Sequence, residues 1–69
     1  MMAYIIATNS LKDDKEIYLA DLSKIENGKY WTEDRELAFI FQGKNAKERA
    51  EFKCMTLLYN NPRVVKYDR

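Results

Sequence analysis

The side chains able to do chemistry here fall into two acidic clusters, one thiol and a few hydroxyls. Asp13, Asp14 and Glu16 form the first cluster, and Glu33, Asp34 and Glu36 the second. Paired carboxylates support glycosidase-type acid–base chemistry when burial keeps one of them protonated beside an ionised partner. That chemistry needs a cleft, and a chain of 69 residues has little room for one. The first cluster falls in a polar connection and the second in what reads as a first helical turn, both ordinary places for acids. Cys54 would act as a nucleophile only if a neighbour lowered its pKa. The chain contains no histidine to do so, and Cys54 falls on the apolar stripe of a helix. The same absence removes a serine triad at Ser10 or Ser23. Nothing singles out a lysine or tyrosine. The expectation is a protein that is not an enzyme and that needs neither cofactor nor metal.

Composition narrows the class. Sixty-nine residues make one domain, 1–69, and a chain this short buries only about 60% of its unfolded surface. A single cysteine excludes an intramolecular disulfide and fits a reducing, cytoplasmic setting. No apolar run is long enough to span a bilayer or to form a signal-peptide core, so no membrane partner is expected. The apolar fraction of 46% is too high for a disordered tail. Twelve basic and eleven acidic residues leave a net charge of +1, which fits neither an acidic DNA mimic nor a polybasic nucleic-acid binder.

The elements that would position these groups can be read in order. Ala3–Thr8 is β-branched and aromatic and predicts a first strand. After the polar Asn9–Asp14, Glu16–Leu22 predicts a second, with Tyr18, Ala20 and Leu22 on one face and Ile17, Leu19 and Asp21 on the other. The short connection favours an antiparallel hairpin. Asn27-Gly28 is a type I′ turn signal that sends a third strand through Lys29, Tyr30 and Trp31. Thr32 then resembles a helix N-cap, with Glu33 and Asp34 suited to the positive end of the helix dipole. Leu37, Ala38 and Phe41 share a face at helical spacing. Residues 37–41 also read as a buried strand; the cap favours a short helix, which points Phe39 away from its main face.

Gly43 suits a left-handed helix C-cap, and Asn45 with Glu48 resembles a capping box. Ala46–Tyr59 holds good helix formers and no breaker, and predicts the main helix. Ala46, Ala50, Cys54 and Leu57 form a stripe for close packing on the sheet. Phe52, Met55 and Tyr59 form a second stripe, and a helix apolar on two sides needs two partners. Asn60-Asn61-Pro62 ends the helix, and Val64–Tyr67 predicts a closing strand on an edge of the meander. The fold class is α+β, β-β-β-α-α-β, a small antiparallel sheet packed on one main helix.

Two binding surfaces follow. Tyr4, Tyr18, Tyr30, Trp31 and Tyr67 lie on predicted strands, where open-sheet aromatics stack single-stranded bases, and Lys12, Lys15, Lys24, Lys29, Arg63, Lys66 and Arg69 would meet phosphates; the RNA-recognition-motif consensus is absent. The rival surface is the extra apolar stripe, Phe52, Met55 and Tyr59, with Trp31 and Phe39. Exposed apolar surface on a small protein marks a partner site, and these residue types are enriched at interface cores. We expect this second surface to carry contacts, either to a second copy as a homodimer or to a protein target.

The run Gly28-Lys29-Tyr30-Trp31-Thr32, then Asp34, Ala38 and Phe41, followed by a helix with Ala46 and Ala50, resembles small accessory proteins encoded by bacteriophages of Gram-positive bacteria. The resemblance spans residues 16 to 59, and its motif encodes a hairpin, a cap and a core without catalytic residues. It implies a bacterial host cytoplasm and a counter-defence role in which a host protein is blocked stoichiometrically, anti-CRISPR proteins being the best-known class. The balanced charge departs from the acidic DNA-mimic inhibitors and points to direct protein–protein blocking.

Overall fold

The computed structural model describes residues 2–24 and 30–67 of the chain. Its elements are β1 (Ala3–Asn9), β2 (Glu16–Leu19), β3 (Trp31–Thr32), a 3-10 turn at Arg35–Leu37, β4 (Phe41–Gln42), α1 (Ala46–Thr56) and β5 (Arg63–Lys66). This is the expected α+β class, a small, curled antiparallel sheet packed with one helix. The meander β1-β2-β3 forms, and β5 closes it by pairing with β1 from Tyr4↔Lys66 to Ala7↔Arg63. The predicted Asn27-Gly28 turn lies outside the described residues.

β1 is the strand on which the fold is built. It pairs with β5 along one side, and along the other with β2 at its end and β4 at its start. Its run Tyr4–Thr8 is buried at every position, as a strand covered on both faces requires. The two-residue alternation sorts it into two cores. Tyr4 and Ile6 face α1 with Leu19, Phe41, Ala46 and Ala50. Ile5 and Ala7 point the other way, among Tyr18, Ala38, Ile40, Val65 and Tyr67. Thr8 is fully buried, and its hydroxyl donates to the carbonyl of Asn60, so no buried polar group is stranded there.

Residues 33–41 depart from expectation. No helix forms on a Thr32 cap. Thr32 lies in β3, and its Oγ accepts from the Asp34 amide at 3.1 Å. Asp34 is the cap instead, accepting from the Glu36 amide at 2.9 Å over a single 3-10 turn. The chain is then extended: Ala38 bridges Ala20, and Phe41 pairs with Tyr4. Ala38 and Ile40 fall in one core and Phe41 in the other, which is the period of a strand, so tertiary pairing overrides the local helix signal. β2 is also shorter than predicted. It stops at Leu19, Ala20 makes only an isolated bridge, and Leu22 sits exposed in a turn.

The entry to α1 differs too. Gly43 has φ +87° and Asn45 φ +58°, so both lie in the left-handed region and fold the chain sharply from β4 into the helix. Asn45 makes no side-chain cap bond, because a capping side chain needs extended backbone at that position. The Arg49 guanidinium secures the corner instead, donating to the carbonyls of Gln42 and of Lys44. A Cβ on Gly43 would meet only the Arg49 Nη2, at an ordinary contact distance of 4.0 Å. Gly43→Ala is therefore expected to cost about 1–2 kcal/mol from backbone strain alone, and Gly43→Asn less. Thermal melts of the two variants check this.

At its other end α1 stops at Thr56, short of the predicted Tyr59. Leu57 turns extended (φ −88°, ψ 129°), packs against the core, and leaves the chain free to run back along β1. The inward stripe Ala46, Ala50, Cys54 and Leu57 is as expected, the alanines buried and the other two half-buried.

On the face away from α1 a polar chain crosses the sheet. Glu16 accepts from the Tyr18 hydroxyl at 2.7 Å and from Arg63 at 2.7 Å, and Arg63 also donates to Asn9 at 3.1 Å. Arg35 spans the Tyr18 and Tyr67 rings, 5.9 Å and 5.4 Å from their centroids, and donates to the Lys66 carbonyl. The Tyr18 hydroxyl, and then Arg63, hold the Glu16 carboxyl below its ordinary value of 4.5 against the opposing effect of burial. A depressed folded pKa gives stability that is present above the unfolded value and lost as pH falls through the folded one. The stability difference between the wild type and Glu16→Gln should thus be largest near neutrality and shrink below about pH 4.5. With Glu16 and Arg63 both nearly half exposed, the pair is expected to contribute at most about 1 kcal/mol. Urea melts across pH measure it.

Candidate partner-binding surface

Four of the six carboxylates in the acidic clusters have structural partners. Asp13 accepts from the Lys15 amide, Asp34 caps the 3-10 turn, Glu16 holds Tyr18 and Arg63, and Glu33 lies 3.9 Å from Lys15. Among the described residues, no three His, Cys, Asp or Glu side chains converge as a metal site would need. The Cys54 thiol donates to the Pro62 carbonyl at 3.0 Å, and burial, followed by the charge of Glu51, pushes its pKa up, the opposite of an activated nucleophile. No helix of the described residues is long and apolar enough to cross a membrane.

The five residues singled out from the sequence occupy three places. Phe52 and Met55 stand on the outer face of α1, 71% and 83% exposed, and Leu58 beyond the helix end is fully exposed. A helix that buries Ala46 and Ala50 and half-buries Cys54 must turn its positions 52 and 55 outward at 100° per residue, and among the described residues no second element covers them. Trp31 and Tyr59 form a half-buried corner instead. Their rings meet edge to face at 5.2 Å, Trp31 packs on the α1-side core, and the Tyr59 oxygen accepts from the Leu11 amide at 3.2 Å. Tyr59 is thus not part of the exposed stripe, because the helix ends before reaching it.

Phe39 is in the third place. It is 41% exposed and lies against Phe41, ring centroids 4.9 Å apart, on the wall of an apolar groove of about 400 Å³. The groove opens where β2 ends. The amides of Ala20 and Phe39 bond to Tyr30 and Leu19 carbonyls, and Asp21 turns the chain by accepting from the Ser23 amide and hydroxyl at 3.0 and 2.7 Å. Leu19, Ala20 and Phe41 make the floor, exposed Leu22 and Tyr30 join Phe39 as walls, and Lys53 of α1 lines it as well. The sequence reading does not single out Leu22, which it assigns to the second strand, and it places Tyr30 in the base-stacking set rather than on this groove. A strand ending at the charged Asp21 would have exposed Leu22.

The aromatic sheet platform does not assemble. Tyr4 and Tyr18 are each 8% exposed and belong to opposite cores, so neither offers a ring face for a base. Tyr30 alone of that set is widely exposed. No protein-family model, curated protein or solved structure matches the chain.

Proposed function

We propose that this chain is a non-catalytic binding protein of phage or mobile-element origin, working in the bacterial cytoplasm as a homodimer that blocks a host protein, a defence component in particular, by direct contact. The observation that carries this reading is the uncovered ridge of α1. A domain of 69 residues that leaves Phe52, Met55 and Leu58, spaced three apart in sequence, all exposed is giving up apolar area that its own core needs. Phe and Met are residue types that anchor interface cores, and a helix presents them on a rigid base. The phage origin rests on the hairpin and Tyr30-Trp31-Thr32 resemblance. The burial of Tyr4 and Tyr18 favours a protein target over single-stranded nucleic acid.

The test is capture of the tagged chain's partner from bacterial lysate, with and without nuclease, alongside sedimentation of the purified chain. A stoichiometric protein that survives nuclease is expected. Recovery that vanishes with nuclease would replace this reading with nucleic-acid binding.

A further inference from the structure

We infer that the outer edge of β5 joins the two copies of the homodimer: β5 pairs antiparallel with β5 of a second copy, Val64 opposite Val64, and the two sheets run on as one. The inference rests on the homodimer part of the reading above and supplies its contact and register.

The backbone leads to it. Among the described residues β5 has one strand neighbour, β1. The Tyr67 amide donates to the Ala3 carbonyl at 2.8 Å, so the positions hydrogen-bonded to β1 are Tyr67, Val65 and Arg63. Pro62, Val64 and Lys66 turn their backbone groups the other way. Two of those carbonyls are engaged, Pro62 accepting from the Cys54 thiol at 3.0 Å and Lys66 from Arg35 at 3.2 Å. The Val64 amide and carbonyl and the Lys66 amide have no partner among the described residues.

A second copy centred on Val64 answers each of these groups. The two Val64 residues exchange both bonds, and Lys66 of each copy faces Pro62 of the other. The Lys66 amide donates to that Pro62 carbonyl, which has a lone pair beside the one the thiol uses. Proline has no N–H to return, and the Lys66 carbonyl needs none because Arg35 already serves it. The side chains agree. Arg63 falls opposite Val65, so like charges do not meet directly, whereas a pair centred on Lys66 would set two lysines face to face. Val64 points to the α1 side, where Lys47, Glu51, Cys54 and Met55 line a trough beside β5. The two-fold axis of such a pair is perpendicular to the sheet, so both α1 helices lie on one face, antiparallel, and the two troughs merge. Lys47 of each copy then faces the α1 flank that carries Glu51 of the other, and Met55 comes beside the Lys66 stem opposite Pro62.

The experiment follows amide exchange of the full isotope-labelled chain by NMR, with sedimentation in parallel, as its concentration rises from about 10 μM to about 1 mM, the range of a small transient interface. The Val64 and Lys66 amides are expected to slow by about tenfold or more as the dimer forms, while the Val65 amide is protected throughout. Lys66→Pro removes a donor that the lone chain does not use and is tolerated on an edge strand. It should keep the wild-type melting temperature in dilute solution and stay monomeric. A dimer whose Val64 and Lys66 amides stay unprotected, a folded Lys66→Pro chain that sediments as the wild type does, or a wild type that stays monomeric throughout would each overturn the inference. Lysate capture that persists with β5 unpaired defeats the pairing alone; failed capture with Val64 protected defeats the inhibitor reading alone.

Discussion

Ile6→Ala is expected to destabilise the chain by about 2–5 kcal/mol, and Ile5→Ala by a similar amount. Both side chains are fully buried, but they point in opposite directions. Ile6 packs under α1, so its cost is the ordinary one of a cavity between helix and sheet. Ile5 faces the side without a helix, and on a one-faced sheet its truncation would be nearly silent. Here that face is closed by Ala38, Ile40, Val65 and Tyr67, with the Arg35 guanidinium lying over the Tyr18 and Tyr67 rings. At about 0.05–0.15 kcal/mol per residue, a chain this size has only about 3–10 kcal/mol of stability in total. Either substitution should bring it close to its unfolding midpoint at 25 °C. Urea midpoints measured side by side decide the matter. A loss at Ile5 well below that at Ile6 would mean that the second face is not a true core.

That second face was the least legible part of the sequence. The run Tyr4–Thr8 identified a strand, but an apolar run does not say what covers each side. The covering comes from residues 37–41, where the Thr32 cap signal and the Leu37/Ala38/Phe41 spacing argue for a helix. Ala38 and Ile40 alternate as they do because long-range pairing with Ala20 and Tyr4 outweighs one capped turn. Contacts with local causes were readable: the β1–β2 hairpin, the Ala46/Ala50/Cys54/Leu57 stripe and the closing strand. The candidate surface was readable by half. Phe52 and Met55 follow from helical periodicity, whereas Tyr59 depends on where the helix stops, and that is set by the return of the chain toward β1. The groove is not legible in the sequence because it is built from the ends of elements, Leu19–Ser23, Tyr30 and Phe39, whose boundaries local sequence defines worst.

Phe52→Lys combined with Met55→Lys is expected to abolish partner capture and self-association while leaving the fold intact. Both side chains project from the outer face of α1 and contribute to neither core, so the stability change should stay within about 0.5 kcal/mol. Lysine keeps the helix propensity, and its charge suits the last turn, where Asp would oppose the dipole. If this ridge anchors an interface, each truncated anchor costs about 2 kcal/mol or more of binding, and the pair should weaken association by well over about thirtyfold. Tyr59 is left unchanged because it braces Trp31 at 5.2 Å, and changing it would confound binding with folding. Trp31→Ala provides the contrast, since it removes a ring packed on the α1-side core and should lower the melting temperature whether or not a partner is present. Capture from lysate, sedimentation and thermal melts of the three proteins give the answer together. A folded double variant that still captures the same protein at wild-type yield would show that the α1 ridge is bystander surface, and would move the search for the contact to the groove at the end of β2.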